Sequence, residues 1–246
     1  MKGISAGKKL PAATICWGIL ALVLRWQLYR AGVDGKALLV RNHPLSIALA
    51  VLTVGVLVRI LLVVRKLGNG NSAEGHPPAS LPGALGSLAA GAGILVTVMT
   101  DVTAMGNHLE SIWRCLGFAA PVCLFLAAVA RLRGKRPFFL LYVVACLFFV
   151  LHIVSRYQFW SGNPQMQDYV FSLLGAMALM FFGFYSAAWN AGCGSIRMLY
   201  GMGLAAIYLC TAELARSFCP ALYLGGICWV LTELCSIEPV CADDTN

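Results

Sequence analysis

The chain alternates between long apolar runs and short polar segments from one end to the other. Most of the runs contain about 20 mainly apolar residues, the length of helix that crosses the hydrocarbon core of a bilayer. Eight runs are predicted to be membrane-spanning helices, at 9–29, 44–64, 83–105, 111–130, 137–157, 164–190, 196–214 and 219–234. The pattern therefore predicts an all-α fold, a polytopic transmembrane bundle of about eight helices in a single domain.

Composition supports this prediction. Hydrophobic residues make up 60% of the 246 residues and charged residues only 11%, whereas a soluble domain has about 25% charged residues. The mean hydropathy is +0.80. A soluble fold could not hide so much apolar surface, so the lipid bilayer is the predicted surrounding of the chain.

The segments outside the runs are short. The longest, 65–82, contains G-N-G-N-S and H-P-P and is expected to be a flexible linker. The last residues, 236–246, form an acidic tail. Asn163 and Pro164 are suited to the N-cap and first turn of the sixth span.

Small residues four apart recur on several spans. They let two helix backbones approach closely in lipid. The pairs are Gly86 with Ala90, Ala89 with Gly93, Gly183 with Ala187, and Gly201 with Ala205.

The net charge of +8 does not indicate nucleic-acid binding, because Lys and Arg are scattered in short groups between apolar runs. With eight spans and an uncleaved first helix, both termini lie on the same side of the membrane. Eleven of the 18 Lys and Arg residues then fall on that side and seven on the other. The densest group of basic residues, 131–136, is on the side of the termini. The first loop, on the opposite side, also contains several basic residues and so weakens this bias. The bias predicts a plasma-membrane protein with both termini in the cytoplasm.

The ten cysteines form no C-x-x-C pair, and most lie within apolar runs as small buried hydrophobes. Cys235 and Cys241 are close enough in sequence to pair, but this is not the preferred interpretation. No metal site and no cofactor are predicted. A haem held by His108 and His152 is disfavoured, because both histidines fall near the outer surface.

The stretch 152–169 is the densest in groups that could bind a ligand. His152 and Arg156 share one face of the fifth span, and Asp168 falls in the first turns of the sixth, within reach of Arg156 across a short turn. Trp160 and Tyr169 lie at headgroup depth. These five residues are the candidate site for a small anionic or zwitterionic solute. The favoured alternative is an interfacial clasp, an ion pair within an aromatic belt.

Other charged residues are expected to have simpler roles. Asp101, His108, Glu110 and Arg114 would suit a divalent cation, but solvated loop residues are the preferred interpretation. Glu213 is expected to pair locally with Arg216, three residues on. Arg25 is expected to reach the membrane interface. Glu233 has no evident partner in the sequence and is expected to reach the cytoplasmic interface.

Three segments in the second half of the chain resemble a known group of proteins. They are S-R-Y-Q-F-W-S-G-N-P-Q-M-Q-D-Y (155–169), S-A-A-W-N-A-G-C-G-S-I-R (186–197) and L-Y-L-G-G-I-C-W-V-L-T-E-L-C-S (222–236). Together they resemble uncharacterised multi-pass membrane proteins of clostridial-type bacteria, over about the last 100 residues. The resemblance implies a bacterial cell membrane. It implies no activity, cofactor or site.

Three classes of function stay open at this point. The leading hypothesis is a non-enzymatic protein that binds or moves a small polar solute at the outer-facing site. The alternatives are a structural or interaction protein with a membrane-protein partner, and a lipid-modifying enzyme. An enzyme is less expected, because the chain lacks the Walker A, H-E-x-x-H and G-x-S-x-G motifs. A cavity between the helices would favour solute binding, and a closed bundle would favour a partner.

Overall fold

A computed structural model describes residues 3–31, 43–67, 81–100, 108–160 and 169–237, with the side chains of 3–9, 108–110, 159–160 and 216 excepted. These residues form eight α-helices: α1 (Gly3–Ala31), α2 (Pro44–Arg65), α3 (Leu81–Thr100), α4 (His108–Leu132), α5 (Leu140–Trp160), α6 (Val170–Asn190), α7 (Ile196–Glu213) and α8 (Pro220–Ser236). A single 3₁₀ turn, Leu214–Arg216, follows α7. The predicted all-α bundle of eight helices is confirmed.

Helices α1 to α6 are each long and apolar enough to cross a membrane, as judged within the described ranges. Helix α8 is apolar but has only 17 residues. Helix α7 lies at the centre of the bundle and is buried along nearly its whole length. A multi-pass membrane protein accounts for this combination, because a helix satisfies its own backbone hydrogen bonds in lipid.

Consecutive helices run antiparallel. Contacts between helices distant in sequence show that odd-numbered and even-numbered helices run in opposite directions throughout. Gly201, early in α7, faces Val64 at the end of α2, whereas Tyr208 later in α7 lies 3.0 Å from the hydroxyl of Thr53. Helices α1, α3, α5 and α7 therefore begin at one end of the bundle. That end, called here the basic end, holds Arg65, Lys66, Arg131, Arg133, Lys135, Arg136 and Arg197. The opposite end is called the far end.

Small residues bring α3 and α8 into close contact, as their spacing on α3 predicts. A methyl group added to Gly225 of α8 would lie 2.6 Å from the backbone oxygen of Ala89, which is too close. Gly86 faces Trp229 and Thr232, and Gly93 faces the backbone of Ala221. The two backbones therefore leave no room between them for a solute.

Several predicted boundaries shift by a few residues. Helix α5 begins at Leu140 rather than at Pro137, and α6 begins at Val170 with Tyr169 as its N-cap residue. The predicted cap at Asn163 and first turn at Pro164 lie outside the described residues. So do the end of the predicted third span, most of the predicted linker, and all but the first two residues of the predicted acidic tail.

Candidate functional site

His152 lies inside the bundle near the far end. It is 2% exposed. Its ring packs against two aromatic side chains, with the centroids of Trp113 and Phe148 at 6.3 and 5.9 Å from its own and 6.0 Å from each other. Its Nδ1 is buried and has no hydrogen-bond partner within the described part of the chain. The position of His152 on α5 thus places an imidazole in an aromatic pocket between α4 and α5.

Arg156 lies one turn further along the same face of α5 and is also buried. Its Nη2 donates to the Sγ of Cys219 at 3.2 Å, where α8 begins. The arginine therefore joins α5 to the start of α8. Its predicted partner, Asp168, lies outside the described residues, as does the side chain of Trp160, so the pairing of Arg156 with Asp168 stays a prediction.

Tyr169 is half-buried at the start of α6. Its ring centroid lies 5.7 Å from that of Phe218, in the connection between α7 and α8. Tyr157 is 52% exposed. An aromatic residue exposed beside a helix end fits an interfacial belt. Of the five predicted site residues, the structure places the side chains of His152, Arg156 and Tyr169 at the far end.

A buried ion pair joins α1 to α7 near the same end. Arg25, 2% exposed, donates through Nη1 to the carboxylate of Glu213 and to the backbone oxygen of Ala212 at 3.1 Å. Its Nη2 donates to the hydroxyl of Tyr29 at 3.3 Å, and the ring of Phe171 lies 5.0 Å away.

This pair corrects the expectation for Arg25. Arg25 does not extend to the membrane interface, because α1 packs parallel to α7 and directs the guanidinium into the bundle beside Glu213. Glu213 has an ion-pair partner on another helix, which the sequence analysis did not predict. The side chain of Arg216 lies outside the described residues, so its pairing with Glu213 stays a prediction.

A second polar contact lies between α6 and α8. The hydroxyl oxygens of Ser172 and Tyr223 are 2.7 Å apart, and the Tyr223 hydroxyl donates to the backbone oxygen of Ser172 at 3.0 Å. Ser172 directly follows Phe171, which packs against Arg25. The Ser172–Tyr223 contact therefore lies next to the Arg25–Glu213 pair.

The basic end has its own buried ion pair. Both terminal nitrogens of Arg131 in α4 donate to the two carboxylate oxygens of Glu233 in α8. The arginine is 3% exposed and the glutamate 0%. The expectation that Glu233 reaches the cytoplasmic interface is wrong, because the antiparallel packing of α3 between α4 and α8 brings the ends of those two helices to the same level.

Aromatic side chains enclose this second pair. The guanidinium of Arg131 lies 5.9 Å from the ring centroid of Tyr142. Tyr142 in turn stacks on Trp229, with centroids 6.0 Å apart and planes 3° from parallel. Both rings are fully buried. The pair is thus shielded from lipid and from water.

A narrow groove runs between α1 and α2, with α7 at its base. It encloses about 30 Å³, far below the roughly 300–1,000 Å³ of pockets that hold small molecules. The residues along it are Leu10, Ala13, Thr14, Trp17, Val56, Arg59, Ile60, Val63 and Leu204. Arg59 is exposed there, and its guanidinium lies 5.8 Å from the ring centroid of Trp17.

Within the described ranges, no three His, Cys, Asp or Glu side chains come together as a metal site would require. Asp101 and the side chains of His108 and Glu110 lie outside those ranges. Arg114, the last member of that group, is exposed on α4. Cys235 is a free thiol, and Cys241 lies outside the described residues.

Sequence reasoning missed the partners of both glutamates and the groove beside Arg59. One signal could have found the ion pairs. Charged residues within membrane spans almost always pair with one another, and the chain places Glu213 and Glu233 in spans together with Arg25. The groove has no comparable signal, because Trp17 and Arg59 meet only when α1 and α2 pack together.

Comparison with known proteins identified no relative. No family model matches the chain, and none of the curated proteins or solved structures compared with it does so. The resemblance to clostridial-type membrane proteins therefore stays a prediction. The function has to be inferred from the geometry alone.

Proposed function

We propose that this chain is a non-catalytic membrane protein that acts through its lipid-facing surface, by binding another component of the membrane. In this proposal the interior of the bundle is a scaffold. It neither passes a solute nor transforms one.

One observation carries the proposal. The acidic side chains that the described ranges contain, Glu213 and Glu233, are each held in a buried ion pair with an arginine of another helix. A proton relay or a cation path through a membrane needs acids that are free to change partners. Here each carboxylate is held by a guanidinium that is itself buried.

The packing of the interior agrees with a scaffold. Helices α3 and α8 meet at backbone distance through Gly86, Gly93 and Gly225. The groove beside α2 encloses space for only a water molecule or two, so no solute can be enclosed within it. Of the three classes of function left open by the sequence, such close packing in the described part of the chain favours the interaction protein.

The proposal is tested with the purified protein in sealed liposomes that contain a pH-sensitive dye. With a potassium diffusion potential imposed, the rate of internal pH change should equal that of protein-free liposomes. In parallel, native mass spectrometry of protein released directly from its membrane should show a retained membrane component. A proton flux above the protein-free rate that Glu233→Gln abolishes would overturn the proposal.

One observation favours a second candidate, the binding of a small polar solute at the far end. The buried Nδ1 of His152 has no hydrogen-bond partner in the part of the chain that the structure describes, and buried polar groups are nearly always paired. His152, Arg156, Trp160, Asp168 and Tyr169 would form this site. Anionic and zwitterionic solutes should then raise the melting temperature of the wild type but not of Arg156→Gln.

A further inference from the structure

The most anomalous charge on the molecule is Arg59. Arginines within membrane spans almost always face the bundle interior or water, yet Arg59 is exposed on the peripheral helix α2. The neighbouring residues on that surface are apolar, with Val54 62% and Val58 49% exposed. No acidic side chain within the described ranges forms an ion pair with Arg59, because Glu213 and Glu233 hold other arginines.

Arg59 lies within reach of the end of α2 at the basic end. It lies six residues before Arg65, where α2 ends, which is about 9 Å along the helix axis. An arginine side chain at this depth keeps its stem in the apolar layer and extends its guanidinium toward the headgroups. Trp17, over which the guanidinium lies, is also typical of this boundary.

The groove next to Arg59 encloses little space, but its apolar walls give one acyl chain a surface to lie along. Its walls are mostly aliphatic, from Leu10 on α1 to Val56 and Val63 on α2. The Thr14 hydroxyl already donates to the backbone oxygen of Leu10 at 2.9 Å. The enclosed space is far too narrow for a second helix, whose diameter is about 10 Å. An exposed arginine among the apolar residues of a groove is complementary to a molecule with one anionic group and a long apolar chain.

We propose that the groove between α1 and α2 binds an anionic phospholipid, with the phosphate on Arg59 and one acyl chain along the groove. This inference rests on the proposed function and names the membrane component that the surface recognises. A guanidinium suits the role because it presents several N–H donors to phosphate oxygens in a fixed geometry.

The test is native mass spectrometry of the purified full chain, titrated with dioleoyl phosphatidylglycerol or dioleoyl phosphatidylcholine. The wild type should bind the anionic lipid more tightly. Arg59→Ala should weaken that binding about fivefold, the usual effect of one basic residue at a membrane surface, and should leave phosphatidylcholine binding unchanged. Arg59→Lys should keep part of the preference.

Arg65→Ala is the matched control, because Arg65 is an exposed arginine on the same helix but does not line the groove. It should bind phosphatidylglycerol as the wild type does. Equal losses in Arg59→Ala and Arg65→Ala, or equal binding of the two lipids by the wild type, would overturn the inference. Since Arg59 is exposed, equal melting temperatures will show that the variants fold.

The two proposals fail in different ways. If the retained component is a protein and the wild type binds the two lipids equally, the lipid site is overturned. The proposed surface-binding function is not affected by that result. A proton flux that requires Glu233 overturns the surface-binding function itself.

Discussion

At the scale of single residues, the molecule depends on charges that are buried only as pairs. An isolated charge in an apolar interior is very costly, and its cost is offset only by a partner with good geometry. Glu213 meets Arg25, which also donates to Ala212 and Tyr29, and Glu233 meets both ends of the Arg131 guanidinium. Each pair joins helices far apart in sequence and so fixes how they assemble.

Replacing one member of the far-end pair should therefore destabilise the fold. In Glu213→Gln the charge of Arg25 is left buried without a counter-charge, which typically costs about 3–5 kcal/mol. We expect the melting temperature in detergent to fall by about 10 °C, on the scale for soluble proteins of this size. Intrinsic tryptophan fluorescence follows the transition.

The control for this variant is Arg30→Gln. Arg30 also lies over a tryptophan, 3.8 Å from the ring centroid of Trp26, but it is exposed. The melting temperature of Arg30→Gln should stay close to that of the wild type. An equal fall in both variants would contradict a specific role for the buried pair.

The sequence can indicate that charges within spans pair, but it could not identify which residues pair, for a physical reason. Arg25 and Glu213 are 188 residues apart, and Arg131 and Glu233 are 102 apart. A local rule can propose only neighbours three or four residues away, such as Arg216 for Glu213. Which distant helices touch depends on the packing of the whole bundle, and no spacing along the chain encodes it.

At the scale of helices, the sequence was far more informative. The bilayer fixes the length of an apolar run, so the number of helices and most of their bounds follow from hydropathy alone. The start of α5 shifted from Pro137 to Leu140 because a proline permits a helix start but does not require one. The small residues of α3 also predicted close packing, although α8 as the partner became evident only from the structure.

The contact between α3 and α8 makes a prediction at this scale. Gly225→Ala would place a methyl group 2.6 Å from the backbone oxygen of Ala89, so the helices must move apart. Overpacking of this kind costs about 1–3 kcal/mol, and we expect the melting temperature to fall by about 5 °C.

Gly55→Ala is the matched substitution on α2. A methyl group there would meet nothing within 4 Å, and alanine favours a helix more than glycine does. This variant should melt at or slightly above the wild-type temperature. If Gly225→Ala behaves in the same way, the two helices are not in backbone contact.

At the scale of the whole molecule, eight alternating helices place most of the described basic residues at one end. The positive-inside rule then predicts that the basic end faces the cytoplasm. Cys193 lies exposed between α6 and α7 at that end. With the other cysteines removed, it should react with a membrane-impermeant maleimide only after cells are lysed.

Ser217 provides the opposite marker, since it lies between α7 and α8 at the far end. In the same cysteine-free background, Ser217→Cys should be labelled in intact cells. Labelling of Cys193 in intact cells, with protection of the cysteine at 217, would reverse the predicted orientation while leaving the fold unchanged.

The most direct measurement of the scaffold account is a double-mutant cycle over Arg131 and Glu233, followed by thermal unfolding in lipid nanodiscs. Arg131→Met and Glu233→Met should each lower the melting temperature clearly, because each leaves one buried charge without its partner. The double variant, which buries no charge, should regain most of the loss. If Glu233→Met alone leaves the melting temperature unchanged or raises it, the carboxylate is not holding the bundle together, and a role in transport or catalysis would replace the scaffold account.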